Sequence, residues 1–194
     1  DREDIDTIEK YLIDKGHIAA REQFILSHDQ QEDEKSSADY ESTITLRDSG
    51  DDYRIEGSNF TIRFDRQQGF LKSYLYDGQH FIKDGLKPDF WRAPTSNDKG
   101  DGLPQRASVW EHTEKQRQLD TISTEVISDH QIKITTESTL QKTGSTFDAD
   151  YTIYADGRIE VDTQFKASSD TLPELPRYGM SMVLPGDFKN MQWY

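Results

Sequence analysis

The sequence predicts an all-β fold, an antiparallel β-sandwich, on three observations. Short runs that alternate apolar and polar residues, rich in β-branched and aromatic side chains, recur along most of the chain. Asp-Gly pairs, which favour tight hairpin turns, join several of them. Helical periodicity is nearly absent, and short strands separated by regular turns are the pattern of a sandwich.

Taken in order, "STITLRD" (Ser42–Asp48), "YRIEG" (Tyr53–Gly57) and "FTIRFD" (Phe60–Asp65) read as the first three strands. "GFLKSYLYDGQHFI" follows as a hairpin turning at Asp77-Gly78. "STEVISDHQIKITTEST" predicts two strands with a break at Ser128–His130. "FDADYTIYADGRIEVDTQFKA" predicts two more, joined through Asp156-Gly157. Two segments have helical composition: "WEHTEKQRQLD" (Trp110–Asp120), expected as one short surface helix, and the polar N-terminal "DREDIDTIEKYL". "FKNMQWY" reads as a strand that stops with neither turn nor tail.

Composition shifts once. Ser27–Ser42, "SHDQQEDEKSSADYES", has almost no apolar residues and reads as an exposed linker. The run before it, "KGHIAAREQFIL", resembles the last strand of a domain whose beginning is absent. The expected division is therefore a β-domain remnant over residues 1–30, a linker with the first strand region over 31–50, and one β domain over 51–194.

Charge excludes some functions. With 23 Lys and Arg against 37 Asp and Glu, the formal net charge is −14. Nucleic acid and anionic membrane surfaces both require a basic face, so neither is expected as a partner. No run approaches the roughly 20 apolar residues of a membrane span. The absence of cysteine removes disulfides, thiolate metal sites and a cysteine nucleophile, without fixing the compartment.

The stretch with the most direct chemical content is "PDFWRAPTSNDKGDG", Pro88–Gly102. It fails as an EF-hand in both registers, because Lys99 falls on a ligand position and neither register ends in Glu. A weak ion site using Asp98 and Asp101 is the residual metal reading; no metal residue is assigned. The five histidines stand far apart in sequence, no G-x-S-x-G elbow is present, and "NDKGDG" is too acidic to cradle phosphate. Local chemistry singles out no catalytic residue.

The same stretch carries a resemblance. "DFWRAPTSNDKG" resembles the F-x-R-A-P-x-x-N-D-x-G motif of β-galactosidases of glycoside hydrolase family 2, near the start of their C-terminal β-sandwich. Its neighbours agree in order: "GHIAAREQF" is similar to the last strand of that family's second immunoglobulin-like domain. "FTIRFDRQQGFLKSYLYDGQHFI" is similar to the first hairpins of the sandwich, and "YTIYADGRIEVD" and "LPRYGMSMVLP" to later strands. The resemblance implies a fragment: a strand remnant of an immunoglobulin-like domain, then the N-terminal part of a galactose-mutarotase-like supersandwich, the small-chain domain, with a short helix. It also implies that the two catalytic glutamates, and the magnesium and sodium ligands, belong to other domains, so this chain holds no catalytic residue and no cofactor. The expected partners are the catalytic barrel and other domains of a parent chain, and a β-galactoside in the complete enzyme. Open edges on a cut sandwich add self-association to that expectation.

For the site residues the resemblance leaves two readings of Gly100 to Ser108. It is either a mobile segment at the active-site mouth, with Gly100, Asp101, Gly102 and Arg106 as substrate-loop candidates, or a plain connection. Trp91, Arg92, Pro94, Asn97 and Asp98 are expected to be structural. Asn97 and Asp98 cap the turn, and Arg92 pairs with a carboxylate. A stand-alone carbohydrate-binding module, stacking sugar on Trp91 or Trp110, or a structural β domain, is the alternative.

Overall fold

Alternation is strictest where the sandwich is best covered. In "STFDADYTIY" every second residue points inward, so Phe147, Ala149, Tyr151 and Ile153 are buried while Asp148, Asp150 and Thr152 face outward. A strand with one wet face has this period of two. A computed structural model of the chain describes residues 42–190. The expected domain remnant at 1–30, most of the linker and the end of "FKNMQWY" lie outside the described residues.

The first sheet is an antiparallel meander in chain order: β1 (Thr45–Asp48), β2 (Asp52–Glu56), β3 (Phe60–Asp65), β4 (Phe70–Tyr76) and β5 (Gln79–His80). Asp77 (φ 47°) and Gly78 (φ 77°) make the tight turn between β4 and β5, as the sequence predicts. After β6 (Asp84–Pro88) and a run of short helical turns comes the second sheet. Its strands β7 (Arg117–Ser128), β8 (Gln131–Leu140), β9 (Ser145–Tyr154) and β10 (Ile159–Lys166) lie in the order β10-β9-β8-β7. Finally β11 (Met180–Val183) returns to pair antiparallel with β6.

Both sheets send residues into one apolar cluster: Ile55, Phe60, Ile62, Phe64 and Leu71 from the first, and Ile132, Ile134, Phe147, Tyr151 and Ile153 from the second. Phe64 and Tyr151 meet edge-on across the interface at 4.8 Å. That burial pushes the Tyr151 hydroxyl up to about 12. β6 is laid against β4 so closely that a Cβ on Gly85 would stand 1.9 Å from the Leu71 carbonyl oxygen. Only a residue without a side chain fits there.

The expected helix at Trp110–Asp120 is shorter and divided. A 3-10 turn (Ser108–Trp110) is followed by α3 (Thr113–Gln116), and Arg117 already begins β7. His112 adopts the left-handed conformation (φ 58°) and breaks the helix. Gln118 and Leu119 are claimed by pairing with Thr139 and Ser138, so sheet formation overrides helix propensity. Phe188 is not in a strand either; its amide turns back to the Pro185 carbonyl, and its ring rests on Phe81 at 5.3 Å.

Candidate functional site

Within "DFWRAPTSND" the backbone from Asp89 to Pro94 belongs to neither helix nor strand, and its side chains carry different duties. Phe90 is fully buried, with its ring against Trp110, Phe147, Phe165 and Tyr178 at centroid distances of 5.3 to 6.2 Å. Its neighbours Trp91 and Arg92 are half-buried. Asp89 accepts from the Trp91 amide (3.1 Å) and pairs with Arg177. Arg92 lays its guanidinium on Asp98 in a two-pronged pair, 2.5 and 2.9 Å, and donates from Nε to the Pro176 carbonyl at 3.1 Å. Arginine suits this position because its fork matches a carboxylate edge.

Asp98 lies in the first turn of α1 (Ser96–Gly100), whose N-cap is Thr95. The cap is reciprocal: the Asp98 amide donates to Thr95 Oγ1 (3.2 Å), and the Asp98 carboxylate accepts from the Thr95 amide (2.7 Å) and hydroxyl (2.8 Å). The Arg92 guanidinium, followed by the Thr95 amide and hydroxyl, holds the Asp98 carboxyl well below the usual carboxylate range. Three of these donors meet Oδ2 and one meets Oδ1, so the Asp98 carboxylate is fixed by Arg92 on one side and by the Thr95 cap on the other. Asn97 contributes through its backbone, its carbonyl accepting from the Asp101 amide at 2.9 Å. Thr95 is therefore the capping side chain, and its T-x-x-D signature was present in the sequence.

Gly100 has open space around it, and Gly102 is left-handed (φ 75°), serving as N-cap of α2 (Leu103–Arg106). Leu103 and Ala107 anchor the segment in the core. Arg106 folds back across the glycine turn, donating to the Asp101 carbonyl (2.5 Å), to its carboxylate (2.5 Å) and to Glu174 (2.6 and 2.8 Å). These acceptors, Glu174 first, push the Arg106 pKa up. Trp110 is buried and donates from Nε1 to the Pro173 carbonyl (3.0 Å), which removes it as a sugar platform.

The residues from Pro173 to Gly179 therefore act as a strap. Pro173 holds Trp110, Glu174 holds Arg106, Pro176 holds Arg92, Arg177 holds Asp89, and the Gly179 carbonyl accepts from the Asp89 amide at 2.8 Å. These contacts span 60 residues or more of sequence, and no local pattern announces them.

Beside the strap lies an open groove of about 780 Å³, walled by Trp91, Arg92, Asp89, Arg177, His112 and Met182 among others. The structure thus brings Trp91 and Arg92 to one groove, while Gly100, Asp101, Gly102 and Arg106 are not among its walls. Among the described residues, no three His, Asp or Glu side chains converge as metal ligands.

Comparison with known proteins agrees with this architecture. Residues 56–194 match the β-galactosidase small chain family. A β-galactosidase of Priestia megaterium is 30% identical over 179 residues, covering 92% of this chain and 17% of that protein. One of Streptococcus thermophilus is 29% identical over 189 residues, 93% and 17% of the respective chains. A β-galactosidase small subunit of Latilactobacillus sakei is 25% identical over 151 residues, 68% of this chain and 47% of the subunit. The chain thus spans less than a fifth of the two longer relatives. With the family match running through every strand from β3 to β11, this chain belongs to the β-galactosidase small-chain family.

Proposed function

We propose that this chain is the accessory β-sandwich of a retaining β-galactosidase of glycoside hydrolase family 2. In that enzyme two glutamates carried elsewhere hydrolyse terminal β-D-galactosides. The sandwich packs against the catalytic barrel, and Gly100–Ser108 borders the mouth of its active site. The family's magnesium and sodium ions are held by other domains.

The observation that carries this reading is the small-chain family match over residues 56–194, with β-galactosidases as relatives of which this chain spans less than a fifth. A retaining glycosidase needs a carboxylic acid kept protonated near neutral pH, its pKa raised by its surroundings, about 5–5.5 Å from a carboxylate nucleophile. Among the described residues, Asp84, Asp98, Asp150 and Glu174 have carboxyl groups held below their ordinary range. Lys87 and Arg92 lower the first two, and Arg106 lowers Glu174. At Asp150 burial pushes upward, but Lys133 and Thr135 outweigh it. These four groups are thus unsuited to serve as the proton donor.

One observation favours a second reading, direct sugar binding by this domain. Trp91 stands half-exposed in a groove with Asp89, Arg92 and Arg177, an aromatic face beside planar polar groups.

The test is hydrolysis of a chromogenic β-galactoside by the 194-residue chain, alone and mixed with the remaining portion of a parent enzyme. Inactivity alone with turnover on mixing is expected. Turnover by the chain alone, surviving Arg92→Ala and Asp98→Asn, would refute the accessory reading.

A further inference from the structure

An open sheet ends in edge strands, whose outer N–H and C=O groups can pair with another chain, and the edges of this fold are not alike. β5 has two residues and β1 has four. β7 is long, but its ladder with β8 shifts register twice, between Leu119 and Thr121 and between Val126 and Ser128. β11 shifts against β6 between Ser181 and Val183. Breaks of this kind blunt an edge against pairing. β10 has none. It runs eight residues without proline, and its ladder with β9 is continuous from Ile159 opposite Ile153 to Lys166 opposite Thr146. Among the described residues no strand lies on its other side.

Period-two geometry fixes what that edge offers. The Tyr154 amide donates to the Arg158 carbonyl (3.0 Å), so the backbone of Arg158 faces β9. By alternation Glu160, Asp162, Gln164 and Lys166 also turn their backbone groups to β9, and Val161, Thr163 and Phe165 turn theirs to the open side. The side chains of these last three lie on the inner face but are only half-buried, whereas their opposites in β9, Tyr151, Ala149 and Phe147, are buried. A further strand completes both the hydrogen bonding and the cover.

β10 is complementary to itself in one register. Laid antiparallel about a two-fold axis through Thr163, Glu160 meets Lys166 of the second copy, Val161 meets Phe165, Asp162 meets Gln164, and Thr163 meets Thr163. Inner positions meet inner positions and exposed ones meet exposed ones. An axis at Asp162 would set that carboxylate against its own copy, and an axis at Val161 would set Glu160 against Asp162, like charges that oppose pairing. An axis at Gln164 shortens the overlap to Asp162–Lys166. Glu160 is already held in place by Arg158 and the Tyr154 hydroxyl (2.6 Å), while Lys166 has no ion pair among the described residues. The charges therefore select the register, and the backbone bonds with the Val161 and Phe165 contacts carry the association.

We propose that β10 is a homodimer interface, through which two copies of this chain join their second sheets into one continuous sheet about a two-fold axis at Thr163. The inference is independent of the glycosidase reading, since it rests on β10 and its open edge.

The test is sedimentation equilibrium of the 194-residue chain from about 10 µM to 1 mM, in about 0.15 M salt to screen the net charge of −14 on each copy. A mass rising from 22.5 kDa towards twice that value is expected. Thr163→Pro removes an amide that faces away from β9, so it should leave the urea midpoint in place and weaken the dimer by about ten-fold or more. Lys166→Glu sets glutamates opposite each other at two symmetric places and should weaken it by about ten-fold. Adding Glu160→Lys to that variant restores opposite charges and should recover part of the loss, a result that does not depend on Thr163→Pro folding. The chain has no cysteine, so Thr163→Cys supplies a single thiol at the axis. Its Cα would lie about 5.5 Å from its copy, within disulfide reach, whereas that of Glu160→Cys would lie about 20 Å away. Oxidation should link the first variant much faster than the second. A chain that stays monomeric throughout, or a dimer indifferent to both Thr163→Pro and Lys166→Glu, would overturn the interface. Equal linking at the two positions would overturn the register.

Discussion

Phe90 offers the sharpest test of how the motif stretch is held. Its ring is fully buried and touches four aromatic rings from separate parts of the chain: Trp110 in the 3-10 turn, Phe147 in β9, Phe165 in β10 and Tyr178 before β11. Removing a buried phenylalanine costs about 3–5 kcal/mol. Edge-to-face pairs add about 0.5–1.5 kcal/mol beyond area burial, so Phe90→Ala should fall near the upper half of that range, about 4 kcal/mol. With a urea dependence of about 2 kcal/mol per molar, the unfolding midpoint should drop by roughly 2 M. Phe90→Leu keeps much of the volume but loses the ring pairs, and should cost about 1–2 kcal/mol. The assay is urea unfolding followed by tryptophan emission and near-ultraviolet circular dichroism. Equal midpoints for the Ala and Leu variants, or an Ala variant within about 1 kcal/mol of the parent, would show that the aromatic cluster does not hold this stretch.

Two further outcomes follow from contacts already described. Gly85→Ala must push β6 away from β4, because its Cβ would lie 1.9 Å from the Leu71 carbonyl and 2.7 Å from the Phe70 ring. Overpacking of about 3 kcal/mol should lower the thermal midpoint by about 6–12 °C, and a midpoint within 2 °C, about the effect of 1 kcal/mol or less, would refute the contact. Asp98→Asn should lower stability by an amount that depends on pH with a definite sign. The folded pKa of Asp98 is depressed by Arg92 and then by Thr95, so its contribution is fully present above the ordinary carboxylate value and is lost as pH falls below about 4. The gap in urea midpoint between parent and variant should be constant from pH 5 to 8 and narrow on acidification below about 4. A gap that widens in acid would contradict the ion pair.

The sandwich itself was readable because its signals are local. Alternation in β8 and β9, and the turn pairs Asp77-Gly78 and Asp156-Gly157, are written within a few residues of where they act. The end of the helical segment was not readable. Nothing within "EKQRQL" announces that Gln118 and Leu119 will pair with Thr139 and Ser138, some twenty residues away. The site divides in the same way. Arg92's need for a carboxylate was legible from the residue types, and its partner proved to be six positions away. Glu174, Pro176 and Arg177 became part of the site only through the return of the chain after β10, which composition does not encode. β6 and β11 were also hard to pair from sequence, since more than 90 residues separate their partners Pro88 and Met180.

The Pro88–Gly102 stretch also explains why its acidic residues should not be read as chemistry. Asp89 accepts from the Trp91 amide and pairs with Arg177, and Asp98 accepts from Arg92 twice and from Thr95 twice. Both of these carboxylates are engaged by groups of their own neighbourhood, and so act as anchors for the backbone around them. The burial of Phe90, the Arg92 fork and the Thr95 cap then follow one another along nine residues, each fixing the start of the next. They lead into Gly100–Gly102, where Gly100 has open space around it and Gly102 is left-handed, while the Asp101 and Gly102 amides still donate back to the Asn97 and Lys99 carbonyls. Beyond that point the segment is held on its outer side mainly by the exposed Arg106 contacts to Asp101 and Glu174, of a class that contributes little to stability and weakens with salt. A buried base followed by a salt-sensitive latch implies that added salt loosens the Arg106 contacts before it disturbs Phe90 or the Arg92 fork.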